Sequence, residues 1–138
     1  MSHGEERIAE ILRKAKISFV QEKTFSDLKH NQYRYDFYIE NLNGKKTIIE
    51  FNGLQHYKYL QAFYVKPVYW MAALERDRKK ISYALANDID IYLVPFWDYN
   101  KLNKLSDLLN PEYHAKNRWH NDDAKEKHKD VLKSCKSH

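Results

Sequence analysis

Tyr33-Arg34-Tyr35-Asp36-Phe37-Tyr38-Ile39 and Thr47-Ile48-Ile49-Glu50-Phe51-Asn52 are two β-branched and aromatic runs. They are joined by Asn41-Leu42-Asn43-Gly44-Lys45 and followed by Gly53-Leu54-Gln55-His56. Such runs on either side of an Asn-Gly dipeptide predict a β-hairpin. Each strand carries one carboxylate, at Asp36 and Glu50, where a sheet ordinarily buries apolar groups. A three-residue loop, Leu42-Asn43-Gly44, with Gly44 left-handed pairs residues whose numbers sum to 86. Asp36 then lies directly opposite Glu50 on one face, about 5 Å away, close enough for the two carboxylates to hold one divalent cation. A two-residue Asn43-Gly44 turn would instead shift the register by one and send the acids to opposite faces.

Composition bounds the partners. The chain has 138 residues, the size of one domain able to bury its own core. Cys135 is its single cysteine, which excludes a disulfide framework and favours an intracellular, cytoplasmic protein. No apolar run reaches the length of a membrane span, and Met1-Ser2-His3 lacks a signal peptide's apolar core, so no membrane partner is expected. The balance of 24 basic against 19 acidic residues gives a net charge of +5, with eleven Tyr and three Trp. Mild basicity with many aromatics suits a polyanionic partner, although many soluble domains share it.

Working outward, the pattern predicts helix, three strands, loop, helix, strand, helix and tail. Glu5 to Lys16 is amphipathic, with Ile8, Ile11, Leu12 and Ala15 on one stripe. Ile17 to Phe25 reads as extended. A Tyr-rich loop runs from Gly53 to Val68, a long helix spans about Tyr69 to Asn87, and Ile89 to Val94 is an apolar strand ending at Pro95. Asn100 is positioned to cap a short helix through Leu109. Beyond Pro111 the composition changes: the tail to His138 holds four of the seven histidines and few large apolar residues, and reads as a loosely attached helix or a partly disordered segment.

Three more polar residues stand in unusual places. Asp77 falls within the stripe Trp70, Leu74, Ile81 and Leu85, facing the core, where a carboxylate needs a partner. A structural salt bridge satisfies that need as well as a functional role does. Glu5 borders the apolar face of its helix while Glu6 points to solvent; Ser2-His3-Gly4-Glu5 also fits a capping box, which would account for Glu5 without any chemistry. His56 follows the Gly53 break at the strand's end, a position where sites are built, although a lone loop histidine is more often a surface group. The Tyr57, Tyr59, Phe63, Tyr64 and Tyr69 cluster reads as packing, with base stacking as the alternative.

Gly4-Glu5, Tyr35-Asp36-Phe37, Ile49-Glu50-Phe51-Asn52-Gly53-Leu54-Gln55-His56 and Arg76-Asp77-Arg78-Lys79-Lys80, in that order, resemble the motif set of the PD-(D/E)XK restriction-endonuclease-like superfamily. The set is most similar to the very-short-patch-repair-like subgroup with a Glu, Asp, His, Asp core, which includes phage and intron-associated homing endonucleases. The likeness covers roughly residues 4 to 98. It implies an α/β fold of three layers, α/β/α, with a mixed central sheet and a nuclease domain over residues 1–110; it leaves the basic, His-containing tail over 111–138 unexplained. It also implies that Asp36 is the central metal-binding carboxylate and that Glu50 helps to bind the ion or orient its water. His56 would serve as general acid/base or position a water, oriented by Asp77; Glu5 would complete the acidic cluster, and Gln55 would bond near the metal or phosphate. The superfamily's frequent E-x-K lysine is replaced here by Asn52.

The implied activity is metal-dependent endonucleolytic cleavage of double-stranded DNA, homing-type and sequence-specific, with Mg²⁺ as cofactor and Mn²⁺ as substitute. A structure-specific repair or junction nuclease and a non-catalytic DNA-binding module on the same fold are the alternatives. Arg34, Lys58, Lys79 and Lys80 are candidates for the electrostatic surround of the DNA. In a chain of this length a homodimer or a loop-borne reading element would have to supply specificity. The implied setting is the cytoplasm of a bacterial or phage-infected host.

Overall fold

The computed structural model describes residues 2–53 and 66–118. Its elements are α1 (His3–Lys14), β1 (Val20–Lys23), β2 (Tyr35–Leu42), β3 (Lys45–Asn52), α2 (Pro67–Ala86), β4 (Asp90–Pro95), α3 (Leu105–Leu108) and α4 (Ala115–Arg118), with short 3-10 segments at Lys29–Asn31, Phe96–Lys101 and Pro111–Tyr113. The strands form one sheet in the order β1-β2-β3-β4. β1, β2 and β3 pair antiparallel, and β3 and β4 pair parallel, with α2 lying between them in the chain. This is a mixed α/β architecture around a four-stranded mixed sheet. Among the described residues no helix is long and apolar enough to cross a membrane.

The hairpin turn corrects the three-residue loop expected from the sequence. Leu42 pairs with Lys45 across two residues only, Asn43 and Gly44, both at positive φ (53° and 86°). Two left-handed residues in succession match the right-handed twist of the flanking strands, which is why Asn-Gly is favoured there. The Asn41 carboxamide accepts the Gly44 N–H at 2.7 Å and braces the turn. That turn alone would misregister the acids. A bulge corrects it: the register shifts between Ile39 and Leu42, so that Glu40 and Asn41 together face Lys46. Beyond the bulge Ile39 pairs with Thr47, Tyr38 with Ile48 and Phe37 with Ile49, the pairing that the longer loop would have given.

The sheet buries both faces. Ile8, Ala9, Ile11 and Leu12 of α1 pack with Phe37, Ile39, Leu42 and Ile49. Ile81 and Ala84 of α2 pack with Tyr35, Tyr38, Ile48, Ile91 and Leu93 in a second cluster. The near-continuous apolar runs of β3 and β4 follow from this, since a strand covered on both sides has no water-facing residue to keep polar. Full burial of each such side chain contributes roughly 1.5–3 kcal/mol.

Helix bounds differ from the sequence pattern at the ends. α1 stops at Lys14, so Ala15 is an exposed cap residue rather than part of the buried stripe, and Lys16 turns the chain away at φ 58°. In α2 the buried residues are Trp70, Leu74, Ile81 and Ala84, with Leu85 half-buried beside them. Asn100 does not cap a helix; it lies inside the Phe96–Lys101 segment. Asp107 takes that task for α3, its Oδ2 accepting the N–H groups of Asn103 (2.9 Å) and Lys104 (3.0 Å).

The packed fold also continues past residue 110. Tyr113 is buried and donates its O–H to Asp98 at 2.6 Å, and Ala115 is buried in the α2-side cluster. His114 Nδ1 accepts the Lys116 N–H, which leaves Nε2–H to donate to Asp90 Oδ1 at 3.0 Å. Residues 119–138 lie outside the described residues.

Candidate active site

One step along the ladder from the Phe37–Ile49 pair, the strands part and the acids take over the hydrogen bonding. The Asp36 N–H donates to Glu50 Oε1 at 3.2 Å, and the Phe51 N–H donates to Asp36 Oδ2 at 2.9 Å. Each carboxylate therefore satisfies an amide of the opposite strand that would otherwise be orphaned at the end of the ladder. Glu50 is 6% exposed and Asp36 is half-buried. The two acids meet on one face, as the pairing sum requires, because the bulge restores what the tight turn takes away.

Glu50 has a cation beside it. Lys80 Nζ, on α2, lies 3.1 Å from Glu50 Oε1, with both side chains largely buried. The Lys80 ammonium sits over the Tyr35 ring, 5.0 Å from its centroid, and the Tyr35 O–H donates to the Lys80 carbonyl at 2.6 Å. Lys80 was a candidate for touching DNA; here it neutralises the second-strand acid from within. Its place three residues after Asp77 puts Lys80 on the same helix face, but that spacing does not tell a buried ammonium from a solvated one.

The acids open into a cleft of about 320 Å³. Its lining includes Asp36, Glu50, Asp77 and Lys80, with Arg34 and Arg76 among the remaining residues. A smaller space of about 10 Å³ lies behind them, bordered by Glu50, Asn52, Asp77, Lys80 and apolar residues of α2 and β4. That is about the room one water molecule needs. Asn52 is buried at this spot, so the side chain standing where a lysine was expected faces a space already reached by Lys80.

The ionisation of the pair follows from burial. Burial and the neighbouring Glu50 charge push the Asp36 carboxyl up to about 8, with Glu5 adding to the rise and the Phe51 amide and Lys80 opposing it. Burial raises Glu50 too, against the charge and hydrogen bond of Lys80 and the Asp36 amide, while Asp77 adds to the rise. Two adjacent raised acids hold a proton between them near neutral pH rather than two full charges.

Asp77 is half-buried, lines the cleft and bears electrostatically on Glu50. Glu5 serves two ends. Its carboxylate accepts the Ser2 N–H at 3.4 Å while the Ser2 hydroxyl accepts the Glu5 N–H at 3.2 Å, completing the capping box, and its charge reaches Asp36. Gly4 makes that approach possible: a Cβ there would lie 2.2 Å from carbons of the Phe51 ring.

The remaining candidates separate. Arg34 is exposed, 3.8 Å from Glu22, and lines the cleft. Lys79 is exposed and is not among the lining residues. Arg76, which is not among the basic residues expected around the DNA, lines the cleft. Gln55, His56 and Lys58 lie outside the described residues, as do Tyr57, Tyr59, Phe63 and Tyr64. Tyr69 is exposed.

A divalent ion suits the donor set in kind. The acids are hard oxygen donors, they are short of positive charge, and Asp36 Oδ1 and Glu50 Oε2 stay outside the bonds just described. Among the described residues no three His, Cys, Asp or Glu side chains gather closely enough to hold a metal. An ion on Asp36 and Glu50 would thus complete its coordination with waters and phosphate oxygens, a mode that Mg²⁺ commonly adopts. Comparison with family models, curated proteins and solved structures finds no match to this chain.

Proposed function

We propose that the protein is a divalent-metal-dependent endodeoxyribonuclease built on a restriction-endonuclease-like, three-layer α/β/α arrangement. The observation that carries this reading is the Asp36–Glu50 pair, joined by Lys80 and set in a cleft that Arg34 and Arg76 also line. Apolar clusters on both faces of the sheet support the layered arrangement. The two acids close the strand ends but repel one another, and a cation with a phosphodiester would relieve that repulsion.

The division of labour follows from position. Asp36 and Glu50 would hold Mg²⁺, which supplies a water of lowered pKa and a clamp for a phosphate oxygen. Lys80 opposes the rise that burial imposes on the Glu50 carboxyl and holds it by a 3.1 Å contact. Arg34 and Arg76 offset the negative charge that DNA brings to an acidic cleft. Asp77 lines the same cleft and would orient a base or a water there. Clustered acids would repel DNA without the ion, so binding at the cleft should be metal-linked.

Supercoiled plasmid incubated with the protein and Mg²⁺, with EDTA, and with Asp36→Asn tests the activity. Nicked or linear product only with Mg²⁺ and unsubstituted protein is expected; unchanged plasmid under every condition removes the enzyme reading and leaves a DNA-binding module. A long duplex set against a four-way junction then separates homing from structure-specific cleavage.

A further inference from the structure

We propose that Tyr35 is the positioning residue of this site: it fixes Lys80 against Glu50 through both ends of its own side chain. The role rests on the nuclease reading, but the contacts that suggest it do not. Tyr35 is fully buried at the start of β2, immediately before Asp36. Its ring lies under the Lys80 ammonium, and its hydroxyl donates to the Lys80 backbone carbonyl. One residue of β2 thus holds the same residue of α2 by its main chain and by its charge.

Lysine left to itself extends to water, because a four-carbon stem lets the ammonium stay hydrated while the stem covers apolar surface. Lys80 instead folds inward until only 12% of its side chain is exposed. Glu50 attracts it, but a single carboxylate leaves a flexible stem many arrangements. The aromatic face removes most of them, since a cation over a ring is favoured most when both are desolvated. The hydroxyl bond fixes the height of α2 over the sheet at the same residue. Phe25, edge-on to Tyr35 at 5.7 Å, keeps the ring from turning. The Lys80 carbonyl already lies in the helix ladder, so the hydroxyl adds a tether rather than rescuing an orphan group.

The two halves of the contact can be separated. Tyr35→Phe keeps the ring and loses the tether; Tyr35→Leu loses both. Lysine acetylation by acetic anhydride, followed by mass spectrometry, reads the exposure of Lys80 against its exposed neighbour Lys79 in the same molecule. The Lys80-to-Lys79 rate ratio should be low in the unsubstituted protein. It should rise roughly fivefold in Tyr35→Phe, as loss of one hydrogen bond implies, and further in Tyr35→Leu, with Lys45 and Lys23 unchanged. An unchanged ratio in Tyr35→Phe overturns the proposal. If Tyr35→Leu raises every lysine together, as unfolding would, the Phe variant decides alone. Under the plasmid assay Tyr35→Phe should lower kcat with KM preserved. Wild-type protein that never cuts plasmid defeats the nuclease reading while the acetylation ratio still decides the role of Tyr35.

Discussion

Asp36 and Glu50 hold each other's strands apart and together at once: the Asp36 amide donates to the Glu50 carboxylate, and the Asp36 carboxylate accepts from the residue after Glu50. The end of the β2–β3 ladder is therefore closed by two acids rather than by backbone. A sheet end closed this way places two mutually repelling charges on the atoms that hold it together.

The cost should be visible in the pH dependence of stability. Asp36 is raised to about 8 in the folded state by burial and by Glu50, above the ordinary aspartate value it regains on unfolding. The folded state thus holds the extra proton across that window. Stability is fullest below the unfolded value and falls as the pH rises from about 4 towards 8. Asp36→Asn should abolish that fall and raise the melting temperature at pH 8 relative to the parent, while changing it little at pH 5. Thermal denaturation at pH 5 and pH 8 measures it. A variant less stable than the parent at pH 8 would show that the carboxylate, not its neutral form, is what the fold prefers.

Removing the cation should do the reverse. Lys80→Met leaves Glu50 buried with Asp36 and Asp77 nearby and no compensating charge. Breaking one side of a buried pair typically costs about 3–5 kcal/mol, and replacing both partners costs far less. Lys80→Met should therefore lower the denaturation midpoint at pH 8 strongly, and adding Glu50→Gln should recover most of the loss. Chemical denaturation of the two single variants and the double variant reads the coupling directly. Additive losses in the double variant would mean that the two groups do not interact.

Much of this was legible beforehand, though not always by the route expected. The element order and the inward-facing side of Asp77 follow from periodicity, whereas Asp36 faces Glu50 because a bulge, not the three-residue loop that the turn chemistry suggests, sets the register. The bulge was missed, although a trace of it lay in the spacing of Ile39 and Leu42. These two core residues are three apart, an odd interval that a regular strand would send to opposite faces. Lys80 was seen only as a phosphate contact because burial of its ammonium depends on Tyr35, forty-five residues away in the chain. Gly4 was recognised as part of a motif, but its steric reason lies on Phe51 in another element. Pairwise contacts of that range leave no local periodic signature.

Gly4 should resist the substitution that helices usually welcome. Within a helix, alanine is ordinarily better than glycine by roughly 0.5–1 kcal/mol. Here the added Cβ meets the Phe51 ring at 2.2 Å, so the ring must shift, and the Phe51 amide is the one bonded to Asp36. Overpacking of this kind costs about 1–3 kcal/mol. Gly4→Ala is expected to be destabilising overall, and Phe51→Leu in the same chain should relieve it. Thermal melts of the single and double variants check this; a stabilised Gly4→Ala protein would refute the close packing of α1 on β3.

Deleting Glu40 is the sharpest test of how the acid pair is registered. The two-residue turn and the bulge shift the pairing in opposite senses, so losing one bulge residue leaves Leu42 opposite Lys45, Asn41 opposite Lys46 and Ile39 still opposite Thr47. Ile39 and Leu42 would then be two apart and fall on one face without a kink, as their shared cluster requires. The deletion should fold, retain the Asp36–Glu50 pair and lose only the Tyr38–Glu40 hydrogen bond and the local twist. Deleting Lys46 from the opposite strand has the contrary effect, because either retention or loss of the bulge then carries Asp36 past Glu50. Cross-strand NOEs between Tyr38 and Ile48 should persist in the Glu40 deletion and vanish in the Lys46 deletion. Their loss in the Glu40 deletion would mean that the bulge, rather than the turn and the core, sets the register.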